Sequence, residues 1–117
     1  MTTYEVVLGK EFKRAIKKLR KRFPSIQADV KKALKDLVEN PELGILLGGL
    51  EGVRKYRVRS TDLARGKSGG FRLIYRVNEE RRLFMLIVLY AKSDRETISS
   101  KKILEILKKS EGEDWNM

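Results

Sequence analysis

Between Lys10 and Glu39 the apolar positions recur every three or four residues. Phe12, Ala15, Ile16, Leu19 and Phe23 form one stripe, which predicts a helix from Lys10 to Phe23. Pro24-Ser25 restarts the chain, with Ser25 placed to cap a second helix. Ile26, Val30, Ala33, Leu34 and Leu37 carry the pattern on to Glu39, and Asn40-Pro41 stops it. Two helices joined by so short a break are expected to pack as an antiparallel hairpin.

Elsewhere the period is two. Tyr4 to Leu8 reads as a first strand. Val53 to Arg59 reads as another, with Tyr56 and Val58 toward the core and Lys55, Arg57 and Arg59 on the opposite face. Phe71 to Asn78 places Phe71, Leu73, Tyr75 and Val77 on one side and Arg72, Ile74 and Arg76 on the other. Arg82 to Tyr90 is almost wholly apolar, as in a central strand covered on both faces. Leu43 to Gly52 is apolar but broken by four glycines, and reads as a buried connection. Ser60 to Gly70 is a polar loop, and Ile98 to Lys109 a last helix. The expected fold is α+β, in the order β-α-α-β-β-β-α. The sheet is mostly antiparallel, with helices packed on one side. One domain is expected over residues 1–109, followed by an acidic tail over residues 110–117.

Charge narrows the function. The 117 residues hold 27 Lys and Arg against 16 Asp and Glu, a net charge of +11. Such an excess on a small domain points first to nucleic acid, and second to an anionic membrane surface. No apolar run reaches the roughly 20 residues of a membrane span, so a cytoplasmic protein is expected. Cysteine is absent, which excludes disulfides, iron–sulfur clusters and thiolate zinc sites. Histidine is absent too, which removes the usual general acid–base and the commonest metal ligand. No metal or other cofactor is expected.

The stretch Arg65 to Arg76, "RGKSGGFRLIYR", contains the Gly-Lys-Ser that closes nucleotide-binding P-loops. A P-loop needs a glycine at position 61 and a helix afterwards; Thr61 stands there, and a strand follows. The stretch is therefore a basic loop feeding a strand that carries Arg72 and Arg76. Paired strands lie about 4.8 Å apart, so Arg57 and Arg59 on one strand and Arg72 on the next can converge. Lys67, Lys92 and Arg95 can frame the same concavity. Clustered guanidiniums grip a phosphodiester through bidentate hydrogen bonds and offset charge that builds on it. The bland alternative is a solvated sheet face. The basic face of the first helix, including Lys13 and Lys17, is either solvated or drawn to a phosphate backbone.

The element order and three stretches, "GGLEGVRKYRVR", "GKSGGFRLIYRV" and "LIVLYAKSDRETIS", resemble the RelE/ParE superfamily of type II toxin–antitoxin toxins. The match runs from Tyr4 to about Lys109 and is closest to the RelE-like HigB branch. The resemblance implies a metal-independent endoribonuclease that cleaves messenger RNA on the ribosome, with an acidic antitoxin as partner. It implies that Arg57 and Arg59 contact RNA, that Arg72 stabilises the scissile phosphate, and that Lys92 and Arg95 supply the basic turn. Lys67 matches a loop lysine of the HigB-like branch. Arg76, Lys13 and Lys17 are further RNA-contact candidates, and Lys67 or Lys92 could assist proton transfer. The chain departs from RelE where Ser93 replaces a second catalytic arginine and Ser99 a C-terminal tyrosine. The ParE branch shares the fold but poisons DNA gyrase, so that activity and a degenerate nucleic-acid-binding domain stand as alternatives. Exposed apolar residues of the last helix are the expected antitoxin dock.

Overall fold

The computed structural model describes residues 4–63, 69–95 and 97–110. The chain runs β1 (Glu5–Leu8), α1 (Lys10–Leu19), α2 (Ile26–Glu39), β2 (Ile45–Leu46), β3 (Val53–Val58), β4 (Phe71–Asn78), β5 (Leu83–Ala91) and α3 (Ser100–Ser110). Short 3-10 turns occupy Pro41–Leu43 and Thr61–Leu63. One sheet holds all five strands in the order β1-β5-β4-β3-β2. The β3–β4–β5 meander is antiparallel, as the alternation predicts, and β1 joins β5 in parallel. The α+β class matches the expectation, and the element order matches it apart from β2, an additional edge strand. No described helix is long and apolar enough to cross a membrane.

The pleat divides the core in two. Leu73, Tyr75, Phe84 and Leu86 face α1 and α2, meeting Phe12, Leu19, Val30 and Leu37. Ile74, Met85 and Ile87 face the other way, meeting Ile98, Ile103 and Ile106 around α3. The expectation of helices on one side is thus corrected: α1 and α2 share one side, and α3 covers part of the other, because β4 and β5 are apolar on both faces. All of β5 is buried because it has a strand on each edge and a helix over each face. This is why its sequence shows no alternation.

Three local expectations are corrected. The first helix stops at Leu19 instead of Phe23. A residue before proline is pushed out of the helical region, so the chain unwinds ahead of Pro24. Phe23 is still buried, edge-on to Phe71 with ring centroids 5.1 Å apart. The Leu43 to Gly52 stretch is not a buried connection. It contains the edge strand β2, whose Ile45 and Leu46 are 71% and 55% exposed. Leu50 alone among its leucines and isoleucine is buried. The last helix begins at Ser100, not Ile98, because Ser99 caps it: the Ser99 Oγ accepts from the Lys102 N–H at 3.1 Å.

Candidate nucleic-acid interface

Arg72 lies directly across from Arg57 on β3 and from Tyr90 on β5. A bulge makes this row. Ile74 pairs with Val88 and Tyr75 with Leu86, leaving Ile87 as the extra residue. Ile87 and Val88 consequently both face the α3 side. In an unbroken ladder Leu89 would stand opposite Arg72; the bulge advances Tyr90 into that place.

The turn before β4 depends on glycine. Gly70 has φ +72, and a Cβ there would sit 2.6 Å from the Val58 carbonyl oxygen. The tight approach draws the end of β3, the start of β4 and the turn after β5 together, with the Lys92 N–H donating to Gly70 O at 3.1 Å. The part-buried Arg72 guanidinium folds over this turn and donates to Gly69 O at 3.1 Å and to Phe71 O at 3.3 Å. Arg95 lies with its guanidinium carbon 5.8 Å from the Tyr90 ring centroid. Burial pushes the Tyr90 phenol above its ordinary pKa, against Thr97, Arg72 and Arg95, which all pull it down. Thr97 lies near the Tyr90 hydroxyl but does not complete a hydrogen bond to it.

Side-chain locks hold the segments around this end. Asp29 of α2 accepts from the Thr61 N–H at 2.9 Å and from its hydroxyl at 2.5 Å. Asp62 returns the link by accepting from the Ser25 N–H at 2.9 Å. Arg22 reaches from the end of α1 to Asp94, 2.8 Å away on the turn after β5.

The structure brings only some of the predicted residues together. Arg57 and Arg72 are register partners, and Lys92 and Arg95 border them. Arg59 lies just past β3; with Arg57 it lines a depression of about 300 Å³ against Asp29 and Asp36 of α2. Arg76 is on the Arg72 face, but its neighbours across the strands are Val53 and Met85, so it belongs to the far end. Lys13 and Lys17 stand elsewhere again, on the rim of an apolar groove between α1 and α2 floored by Phe12, Ile16 and Leu86. Lys67 lies outside the described residues. Tyr90 is the member that strand reading assigned to the core. Alternation in a fully apolar strand carries no face signal, and the bulge that aims Tyr90 leaves no mark in the sequence. Ser99, noted in the sequence as a departure from the family pattern, is taken up in capping α3.

Comparison with known proteins agrees with this architecture. Residues 6–95 match the family described as ParE toxin of type II toxin-antitoxin system, parDE. The toxin RelE of E. coli, as a double mutant in the free state, superposes with a TM-score of 0.60 at 24% identity, covering 93% of this chain and 98% of that one. A chain of the RelBE2 toxin–antitoxin complex of Mycobacterium tuberculosis gives 0.55 at 27% identity, over 75% of this chain and 96% of that one. The intact E. coli RelBE complex gives 0.54 at 25% identity, over 74% and 94%.

Proposed function

We propose, for a chain that belongs to the ParE toxin family of type II toxin–antitoxin systems within the RelE/ParE superfamily, a ribosome-dependent messenger RNA endonuclease activity that inhibits translation. One observation carries this reading: Arg57 and Arg72 are cross-strand neighbours beside a basic turn, on a molecule of net charge +11. Such a set can grip a phosphodiester and offset charge as an RNA 2′-hydroxyl attacks it, giving a cyclic phosphate and a free 5′-hydroxyl. With Ser99 engaged as a helix cap and no histidine in the chain, acid–base help is sparse. Alignment by the ribosome then supplies what the side chains do not. The cognate antitoxin is the natural partner, since two of the similar structures are toxin–antitoxin complexes. An acidic one suits this surface. Leu104, exposed on α3, supports that helix as part of the dock.

The match to the ParE family favours a second reading, inhibition of DNA gyrase without nuclease chemistry. One experiment separates them. Cleavage of a single message is measured free and in translating ribosomes, alongside gyrase supercoiling, with purified toxin. Cleavage only on ribosomes is expected. Equal cleavage of free RNA removes the ribosome requirement; no cleavage with failed supercoiling selects the gyrase reading.

A further inference from the structure

The groove between α1 and α2, about 440 Å³ in volume, joins an apolar floor to a charged rim. Leu8, 43% exposed, and the half-buried Ile16 and Leu34 leave hydrocarbon uncovered there. Lys13, Lys17 and Arg20 of α1 and Lys31 of α2 stand around it, and among the described residues that line the groove there is no carboxylate. Water leaves such a floor wet, and a phosphate backbone answers only the cations. The occupant that satisfies both is an apolar side chain carried among carboxylates.

The chain carries such a segment itself. Residues 111–117, which follow α3, read Glu-Gly-Glu-Asp-Trp-Asn-Met, so three carboxylates precede Trp115, the sole tryptophan of the 117 residues. The end of α3 delivers them to the right neighbourhood. Lys109 shares a hollow with Lys10 and Arg14, which lie on α1 about one turn before Lys13 and Lys17. From Lys109 to Trp115 the chain can span roughly 20 Å when extended, enough to pass round a helix about 10–12 Å across with its side chains. We propose that residues 111–117 dock in the α1–α2 groove of their own chain. The Trp115 indole lies on the floor of Ile16 and Leu34, and the carboxylates of Glu111, Glu113 and Asp114 face the Lys13, Lys17, Arg20 and Lys31 rim. Docked there, the tail takes the floor out of water and cancels part of the basic field on this side, away from the Arg57–Arg72 end. Any other acidic segment then enters the groove only by displacing the tail. This inference stands independently of the nuclease reading.

The test uses the full chain, whose one tryptophan reports on its own surroundings. Quenching of its fluorescence by acrylamide, which is neutral and so indifferent to the basic surface, is measured against a peptide of residues 110–117. Burial of the indole predicts quenching at least about threefold slower in the protein, with emission shifted to the blue. Lys17→Glu with Lys31→Glu should return quenching toward the peptide value, and so should Leu34→Asp, with circular dichroism confirming that each variant is folded. The two lysines are exposed, so their reversal leaves the core intact even if Leu34→Asp does not fold. Arg57→Glu with Arg59→Glu makes the same change in net charge away from the groove and should leave quenching as in the wild type. High salt should raise quenching only in part, because it screens the rim and not the floor. Wild-type quenching as fast as that of the peptide overturns the inference. So does protection that survives the Lys17 and Lys31 reversals, or that the Arg57 and Arg59 reversals remove, since either places the tail elsewhere. Protection that disappears on dilution gives the groove to the tail of a second copy and overturns docking within one chain.

Discussion

Around Tyr75, near the middle of β4, polar groups close on one another. The Tyr75 hydroxyl donates to Pro41 O at 2.7 Å and accepts from the Gly44 N–H at 3.0 Å, and Arg54 donates to Gly44 O at 2.7 Å. At the Arg72 end, cations gather and the hydroxyls of Ser60 and Tyr90 stay unsatisfied. Two tyrosines on adjacent strands, both buried, thus have opposite states. The first network fastens the connection from α2 to β2 and is complete without help. The second leaves two hydroxyls without a hydrogen-bond partner among the described residues. Hydrogen-bond satisfaction separates scaffold from site here more sharply than burial or charge does.

The largest test compares Arg72 with Arg76, which share a strand and a face. Arg72→Ala should lower ribosome-dependent cleavage by roughly 10²–10³-fold, the usual cost of losing one group that stabilises transition-state charge. Arg76→Ala, flanked by Val53 and Met85, should stay within about threefold, because only its general contribution to the basic field is lost. Both variants should fold, as both side chains are only partly buried. Equal losses, read from initial rates on the same message, would break the distinction between the two ends.

Glycines sharpen it through stability. Gly70→Ala forces a side chain into positive φ and against the Val58 carbonyl, and should cost at least about 2 kcal/mol. Gly44→Ala drives a methyl into the Tyr75 hydroxyl and ring, which cannot retreat from a fully buried position, with a cost of about 2–4 kcal/mol. Urea denaturation gives both values. The variants should differ in what remains. At temperatures where each is folded, Gly44→Ala keeps wild-type RNA affinity, whereas Gly70→Ala loses it, because only Gly70 shapes the turn under Arg72.

Tyr75→Phe should cost about 1–3 kcal/mol by orphaning the Gly44 N–H. A pH series adds a signature. Burial raises the Tyr75 phenol above its ordinary value of 10.0, outweighing the Gly44 N–H and Arg54, which lower it. The unfolded chain therefore releases this proton first. The stability it contributes is whole below about pH 10 and falls as pH rises toward the folded value. Between pH 10 and 11 the denaturation midpoint should drop less steeply in Tyr75→Phe than in the wild type. An identical slope would show that Tyr75 contributes nothing to the alkaline loss.

Legibility in the sequence followed the same division. Period alone revealed β3, β4, the helical stripes and the polar placement of Arg57 and Arg72, because one-sided elements write their burial into alternation. β2 escaped because two residues make no period and glycines surround them. The bulge at Ile87 and Val88 escaped because both residues are apolar whichever way they point, and with it went the aim of Tyr90. The separation of Arg76 from Arg72 is also invisible to alternation, which reports the face of a strand but not what stands across from each position. Lys13 and Lys17 share the charge of the site without its location, since charge composition holds no coordinates.

The smallest expected effect concerns the turn that carries Lys92 and Arg95. Arg22 and Asp94 meet at 2.8 Å with side chains 52% and 42% exposed. Asp94 is the stronger cause of the raised Arg22 pKa, through their hydrogen bond. An ion pair so open to water is screened by solvent and contributes little to stability. The turn is also held by backbone bonds, from Lys92 N–H to Gly70 O and from Asp94 N–H to Ala91 O at 2.9 Å, which a side-chain change leaves in place. Asp94→Asn should therefore shift the melting temperature by no more than a few degrees. It also removes a negative charge beside Arg95 and releases Arg22, so RNA affinity at low salt should rise by up to about threefold and return to the wild-type value at high salt. A loss of affinity at every salt concentration would mean that the bridge aims the turn. The Arg72 end would then depend on a side-chain lock of its own, as the Tyr75 region does.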